Sequence, residues 1–304
     1  MTDVRAAPLA AARTWGRRVG AFVALTKPRI IELLLVTTVP VMIVAEGGLP
    51  AGTLIVATVV GGTLAAGGAN TFNMYVDRDI DRLMERTRGR PLVTGEVEPA
   101  HALVFGAVLE VAAFALLWGA VNLLSAVLAV SACLFYVFVY TLWLKRTSRQ
   151  NIVIGGAAGA VPVLVGWAAV TGGLALTPWL LFAVVFFWTP PHFWALAIKY
   201  RADYQAANVP MLPVVTSLRA TAHQMLAYTV VVAAVAVAVW PVADLGWIYA
   251  TAAVVASGVF LLDVARLVGD PTPRRAMRVF GFSITYLTVL FGALAADVLI
   301  LQGL

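Results

Sequence analysis

All 21 lysines and arginines of this chain fall into alternate gaps between nine long apolar runs, and no other feature limits its fold so sharply. The runs lie at 28 to 46, 52 to 74, 100 to 119, 123 to 143, 152 to 171, 178 to 197, 223 to 243, 247 to 267 and 279 to 301. Each is about 20 residues long, which an α-helix needs to cross the hydrocarbon core of a bilayer while satisfying its own backbone hydrogen bonds. Six bases precede or open the first run, five separate the second from the third, three the fourth from the fifth, three the sixth from the seventh, and four the eighth from the ninth. The connections at 46 to 50, 119 to 122, 171 to 177 and 244 to 246 hold none. Adding or removing one run scrambles this segregation, so the positive-inside rule predicts nine spans and a cytoplasmic N-terminus. The predicted fold is therefore all-α, a polytopic membrane bundle of about nine transmembrane helices.

Composition narrows the function classes. Of 304 residues, 62% are hydrophobic and only 12% charged, too few charges for a soluble domain of this size. The net charge of +6 is explained by membrane topology, so no nucleic-acid partner is expected and the lipid membrane is. A single cysteine, Cys133, within an apolar run, excludes a disulfide framework, a thiol pair and covalent haem attachment. Residues 1–26, with Arg5, Arg13, Arg17 and Arg18, read as a cytoplasmic tail ahead of one transmembrane domain over 27–304. So short a tail favours a bacterial plasma membrane, with the mitochondrial inner membrane as the alternative. The inner connections after the second and sixth runs are the long ones and carry seven of the 15 acids and eight of the 21 bases, so function is expected on the cytoplasmic face.

The first of these connections begins with Asn-Met-Tyr-Val-Asp-Arg-Asp-Ile-Asp at 73–81. On a helix, Asn73, Asp77, Asp81 and Glu85 recur every four residues and share one stripe, with Arg78, Arg82 and Arg86 in a parallel basic stripe. Stacked like charges repel by roughly 0.2 to 0.5 kcal/mol per pair, which a hard divalent cation relieves. Oxygen ligands of this kind suit Mg²⁺, which takes few protein carboxylates and leaves places for substrate phosphates. The stripe reads as half of a metal and diphosphate site, or as a solvated, salt-bridged helix end outside the membrane.

The second constellation follows Pro190-Pro191, where His192, Lys199 and Asp203 share a face if the helix continues. Lys199 and Arg201 are alternatively membrane-boundary anchors, and a histidine at a helix end is often structural. Prolines at 162, 190 and 191 should kink the fifth and sixth spans. Gly61, Gly62, Gly67 and Gly68, with Gly155, Gly156 and Gly159, should mark close helix contacts. Glu32, Glu110, Asp263 and Asp297 lie in or near spans, where an unpaired charge costs at least ~2.5 kcal/mol. Glu32 is three residues from Arg29 and Asp263 three from Arg266, so local pairing is expected. Glu110 has no local partner.

At both constellations the chain resembles the UbiA-type intramembrane prenyltransferases, whose motifs are Asn-Asp-x-x-Asp-x-x-x-Asp and Asp-x-x-x-Asp. Asn73, Asp77 and Asp81 match the first, with Met74 at its second position. Asp203 matches the end of the second, whose first acid is replaced by Lys199. The runs Thr-Lys-Pro-Arg at 26–29, Asp-Arg-Asp-Ile-Asp-Arg at 77–82, Met-Glu-Arg-Thr-Arg-Gly-Arg-Pro-Leu at 84–92, Pro-His-Phe-Trp-Ala-Leu-Ala at 191–197 and Pro-Met-Leu-Pro-Val-Val at 210–215 are similar to the haem-modifying branch of that family. The resemblance implies transfer of farnesyl from farnesyl diphosphate to a vinyl group of haem B, with haem as substrate and Mg²⁺ as cofactor. It implies that Asn73, Asp77 and Asp81 hold Mg²⁺ with help from Asp203, and that Arg86, Arg90, Lys145 and Arg146 clamp phosphate oxygens. Lys199 and Arg201 would meet the diphosphate or the haem propionates, and His192 would orient or ligate the porphyrin. A haem A synthase or terminal oxidase assembly would be the downstream partner. A prenyltransferase acting on a quinone precursor would be expected to keep an acid at 199. A carrier of haem or isoprenoid without chemistry would not consume diphosphate.

Overall fold

The computed structural model describes residues 6–301, apart from the side chains of residues 6–14 and 29–36. Its elements are α1 (Ala6–Leu25), α2 (Pro28–Glu46), α3 (Gly52–Asp81), α4 (Pro91–Thr94), α5 (Pro99–Ala120), α6 (Leu123–Thr147), α7 (Asn151–Thr171), α8 (Leu176–Lys199), α9 (Arg201–Ala206), α10 (Leu212–Val215), α11 (Leu218–Val242), α12 (Trp247–Gly269) and α13 (Pro273–Leu301). Among the described residues there is no strand. Eight of the helices are long and apolar enough to cross a membrane. The remaining expected span is α2, 19 residues long and therefore just within reach of a bilayer. The all-α membrane bundle is as the charge segregation predicts.

Local chemistry sets the helix ends. Prolines open α2 and α5, where the missing amide would be unpaired anyway. The left-handed glycines Gly47 and Gly172 stop α2 and α7 on the base-free side. The Asn122 side chain accepts from the Ser125 amide at 2.8 Å to cap α6, and its Nδ2 donates to the Ala168 carbonyl at 2.7 Å, tying α6 to α7.

Four helices form the middle of the bundle. α2 packs on α7 and α13, and α8 packs on the same two. To one side α3, α5 and α6 continue from α7, and to the other α11 and α12 bridge α8 to α13. A Cβ on Gly61 would stand 2.5 Å from the Leu117 side chain, one on Gly67 3.2 Å from Thr26, and one on Gly155 2.3 Å from the Tyr140 ring. These contacts, with those at Gly68 and Gly156, are the close approaches anticipated for small residues. Gly62 and Gly159 differ, since a Cβ there would meet nothing within 4 Å.

The buried acids are mostly accounted for. Asp263 meets Arg278 at 3.2 Å and Arg266 at 3.4 Å. Asp297 accepts from the amides of Gly246, Ile248 and Tyr249, capping α12 from a different helix. Glu110 packs against Gly68, with both carboxyl oxygens buried and the Cys133 thiol beside them. Glu32 lies outside the described side chains. The segment read as a tail is the helix α1, whose Ala21 and Leu25 are buried with Met74, Leu92, Val97 and Ala102. Arg17 joins it to Glu96 at 2.7 Å.

Candidate active site

The span drawn to residue 74 continues as helix to Asp81, so Asn73, Asp77 and Asp81 do share one stripe. They are 3%, 0% and 2% exposed, which excludes a solvated helix end for these three. Glu85 is not on the stripe. The helix stops at Asp81, and exposed Glu85 pairs with Arg88 at 3.6 Å. The basic stripe ends there too, with Arg82 and Arg86 past the last helical residue, while Arg78 on the helix donates to the Tyr75 carbonyl at 2.6 Å.

Each acid meets a cation delivered from elsewhere in the chain. Lys145, at the end of α6, is hydrogen-bonded to Asp77 Oδ2, and Arg146 approaches Asp77 Oδ1 at 4.0 Å. Arg90 reaches back from the loop after α3 to Asp81 Oδ2 at 2.6 Å. That loop is folded under Asp81 by Thr87, whose hydroxyl donates to the Asp81 carbonyl at 3.0 Å. Arg146 also forks onto Asp79 with two contacts of 2.7 Å, a partly exposed pair. Lys27, in a left-handed conformation at φ 53, donates to Asn73 Oδ1 at 2.7 Å. Burial first, then Arg90 and Lys145, hold its ammonium well below the ordinary lysine value, with Asp77 and Asp81 pulling the other way. Neither Lys27 nor Asp79 stands out as a single residue in the sequence. Lys27 falls within Thr-Lys-Pro-Arg, a run that carries the resemblance, whereas Asp79 sits off the stripe.

The second constellation is arranged differently. α8 ends at Lys199, and Tyr200 interrupts the helix at φ −100 and ψ 27 before α9 begins. His192, Lys199 and Asp203 therefore do not lie on one continuous helix. His192 is buried between the rings of Trp188 and Phe280, with centroids at 4.2 and 4.5 Å, and its Nδ1 is hydrogen-bonded to Ser283 Oγ at 2.7 Å. Asp203 Oδ2 accepts from the Arg86 amide at 3.4 Å, which links α9 to the loop after α3. The Arg86 guanidinium lies 5.6 Å from the Tyr200 ring centroid and Lys199 Nζ 5.2 Å from it. Burial raises the Tyr204 phenol above its ordinary value, while Arg86 beside it lowers it. Lys199 and Arg201 are exposed.

Among the described residues no three of His, Cys, Asp and Glu gather into a metal-binding group. The oxygen set present is an amide and two carboxylates on one helix face. Asp77 Oδ1 is buried without a hydrogen bond, a free hard donor directed into the cluster. That set fits a divalent cation of the Mg²⁺ kind, completed by oxygens the protein does not supply. Surrounded by Lys27, Arg90, Lys145 and Arg146, it also fits a polyanion.

A buried acid stripe ringed by cations thus lies at the end of α3, in a bundle whose long helices are apolar enough to cross a membrane. The model of the UbiA prenyltransferase family matches residues 34–291, and the chain belongs to that family. More particularly, it is similar to the protoheme IX farnesyltransferases of Parafrankia sp., 55% identical over 93% of this chain and 91% of that protein, and of Frankia casuarinae, 56% identical over 92% and 98%. Among solved structures, digeranylgeranylglyceryl phosphate synthase superposes with a TM-score of 0.77 at 16% identity, covering 93% of this chain and 99% of that one. A UbiA homologue from Archaeoglobus fulgidus bound to GPP and Mg²⁺ superposes with 0.61 at 17%, covering 90% and 99%.

Proposed function

We propose that this protein transfers the farnesyl group of farnesyl diphosphate to a vinyl group of haem B. The bond from farnesyl C1 to oxygen breaks with its electron pair passing to diphosphate. The vinyl π pair forms the new carbon–carbon bond, and water adds to the other vinyl carbon and releases a proton, leaving a hydroxyethylfarnesyl substituent. The observation that carries this reading is identity above 50%, over almost the whole chain, with relatives named for that reaction.

The chain's part is to make the diphosphate a good leaving group. Asn73, Asp77 and Asp81 would hold Mg²⁺ from one helix face, a reading supported by the Archaeoglobus homologue having been solved bound to GPP and Mg²⁺. When bound, the ion supplies charge neutralisation to the leaving phosphate oxygens. Lys145, Arg90 and Arg146, engaged with these acids, are then free to turn their donors onto the diphosphate. Their positions are preorganised by the helix ends that carry them, which is where electrostatic stabilisation is most effective. Asp203 assists by fixing the Arg86 loop, and Arg86, Lys199 and Arg201 offer charge to the far end of the diphosphate or to the haem propionates. His192, stacked between Trp188 and Phe280 and bonded through Nδ1 to Ser283, joins α8 to α13 and keeps Nε2 as the nitrogen that would orient or ligate the porphyrin. The bases on this side of the bundle face the cytoplasm of a bacterial plasma membrane. An enzyme that consumes the product, such as a haem A synthase or a terminal oxidase assembly, follows.

The test is to incubate the purified protein in detergent with haem B, farnesyl diphosphate and Mg²⁺, and to weigh the extracted haem by mass spectrometry. A gain of farnesyl plus water that is lost on chelation is expected. Unchanged haem in a folded sample would move the reading to another prenyl acceptor.

A further inference from the structure

The hydroxyls of Thr58, Thr71, Thr147, Thr171, Thr189, Thr229 and Thr288 each donate to the carbonyl four residues earlier, as threonine does within an α-helix. Thr141 reaches five residues back, to the Tyr136 carbonyl at 2.8 Å. It lies in the wide-turned segment Phe135–Leu144 of α6, a π-helix of ten residues. Such segments are rare, and they change which side chains a helix presents to its neighbours. Here Thr141, with no exposure at all, meets Asn73 of α3: Asn73 Nδ2 donates to Thr141 Oγ1 at 3.1 Å.

The amide of Asn73 has two hydrogens. One goes to Asp77 Oδ2 at 2.8 Å and the other to Thr141, leaving Oδ1 as its outward end, where Lys27 donates at 2.7 Å. Asp77 and Lys27 sit among charges and exchange partners when a polyanion or a cation arrives. Thr141 does not, because its own hydrogen is committed to the Tyr136 carbonyl of its own helix. It is the contact of Asn73 that stays the same whatever occupies the site.

We infer that Thr141 is a positioning residue, whose hydroxyl keeps the Asn73 amide turned with Oδ1 toward the cation and diphosphate. This rests on the reading of Asn73, Asp77 and Asp81 as the cation-binding stripe. Thr141→Val keeps the shape and removes the acceptor, so the amide loses the contact that does not depend on ligand. Partners that orient a metal ligand are typically worth about 10- to 100-fold in affinity or activity.

The experiment is a double-mutant cycle on the full-length protein in detergent. Mg²⁺-dependent binding of farnesyl S-thiolodiphosphate, which is not ionised, is titrated calorimetrically for wild type, Thr141→Val, Thr141→Ser, Asn73→Ala and the Thr141→Val, Asn73→Ala double variant. Expected are a loss of about tenfold for Thr141→Val, near-native binding for Thr141→Ser, and a double variant no weaker than Asn73→Ala alone. Equal binding by wild type and Thr141→Val overturns the inference. So does an additive double variant, which marks a purely structural loss that any instability of Thr141→Val would also produce. The reading of the stripe fails separately, if Asn73→Ala and Asp77→Ala bind the analogue as wild type does. In that case the inference about Thr141 falls with it.

Discussion

The two polar clusters at this end of the bundle solve different problems. In the first, three polar residues on α3 are almost fully buried, and every carboxylate is met by a cation from another part of the chain. In the second, the single acid Asp203 takes one long hydrogen bond from a backbone amide, and the exposed cations Lys199 and Arg86 share the one ring of Tyr200. A family motif with acids in both places therefore becomes lopsided in this chain, one half a charged cradle and the other a looser rim of bases and tyrosines. The lesson is that charge handling is concentrated on the α3 side.

The hardest test of that asymmetry is Asp77→Ala. It removes the carboxylate with the free buried oxygen and strips Lys145 of its partner. Turnover of farnesyl diphosphate should fall by roughly 10²–10³ or more, the scale of losing one preorganised electrostatic contact. Helical content by circular dichroism should be retained. Residual haem product above that range would mean the first cluster is not the reacting one.

Lys145→Met comes next, because it leaves Asp77 buried with a weaker partner. Breaking a buried ion pair on one side typically costs about 3 kcal/mol or more, so thermal unfolding in detergent should shift downward along with activity. A fall in activity at unchanged stability would say that Lys145 acts on substrate and does not neutralise Asp77. Asp203→Asn should cost less, within about tenfold in kcat/KM, since its amide oxygen can still accept from the one backbone donor, at 3.4 Å, that the carboxylate holds. If Asp203→Asn were as damaging as Asp77→Ala, the two clusters would share the charge evenly and the comparison would be wrong.

Much of this was legible before any coordinates. The spans and their boundary charges follow from apolar length and from where lysine and arginine stand, because lipid admits few alternatives. The Asn73, Asp77 and Asp81 stripe needed only the periodicity of a helix, and α3 supplied it. Pairings between distant charges were not legible. Nothing in the chain says that Lys145 goes to Asp77 and Arg90 to Asp81, since loop geometry decides it. Extrapolating a helical stripe also overran at both ends of the site. Glu85 was lost because α3 stops four residues earlier, and the shared face of His192 and Asp203 was lost because the chain breaks at Tyr200. Thr141 gave no signal at all, as a π-turn in a run of Phe, Tyr, Val and Leu has no signature distinct from any other apolar helix.

The finest discrimination comes from Lys199→Asp, which with Asp203 recreates the pattern of two acids four residues apart. Were the second cluster a metal site that had merely lost one ligand, restoring it should strengthen Mg²⁺ dependence. The geometry says otherwise. Acids four apart act together only on one helical stripe, and the helix is interrupted between these positions at Tyr200. Position 199 is exposed, beside the Tyr200 ring, whereas the α3 stripe is buried. The half-saturating Mg²⁺ concentration should therefore stay within about twofold of wild type, an exposed single charge being worth little. The KM for haem B should rise instead, by roughly threefold to tenfold, as a cation near its propionates is replaced by an acid. A tighter Mg²⁺ requirement with haem affinity unchanged would place a second ion at the rim and make the two clusters alike after all.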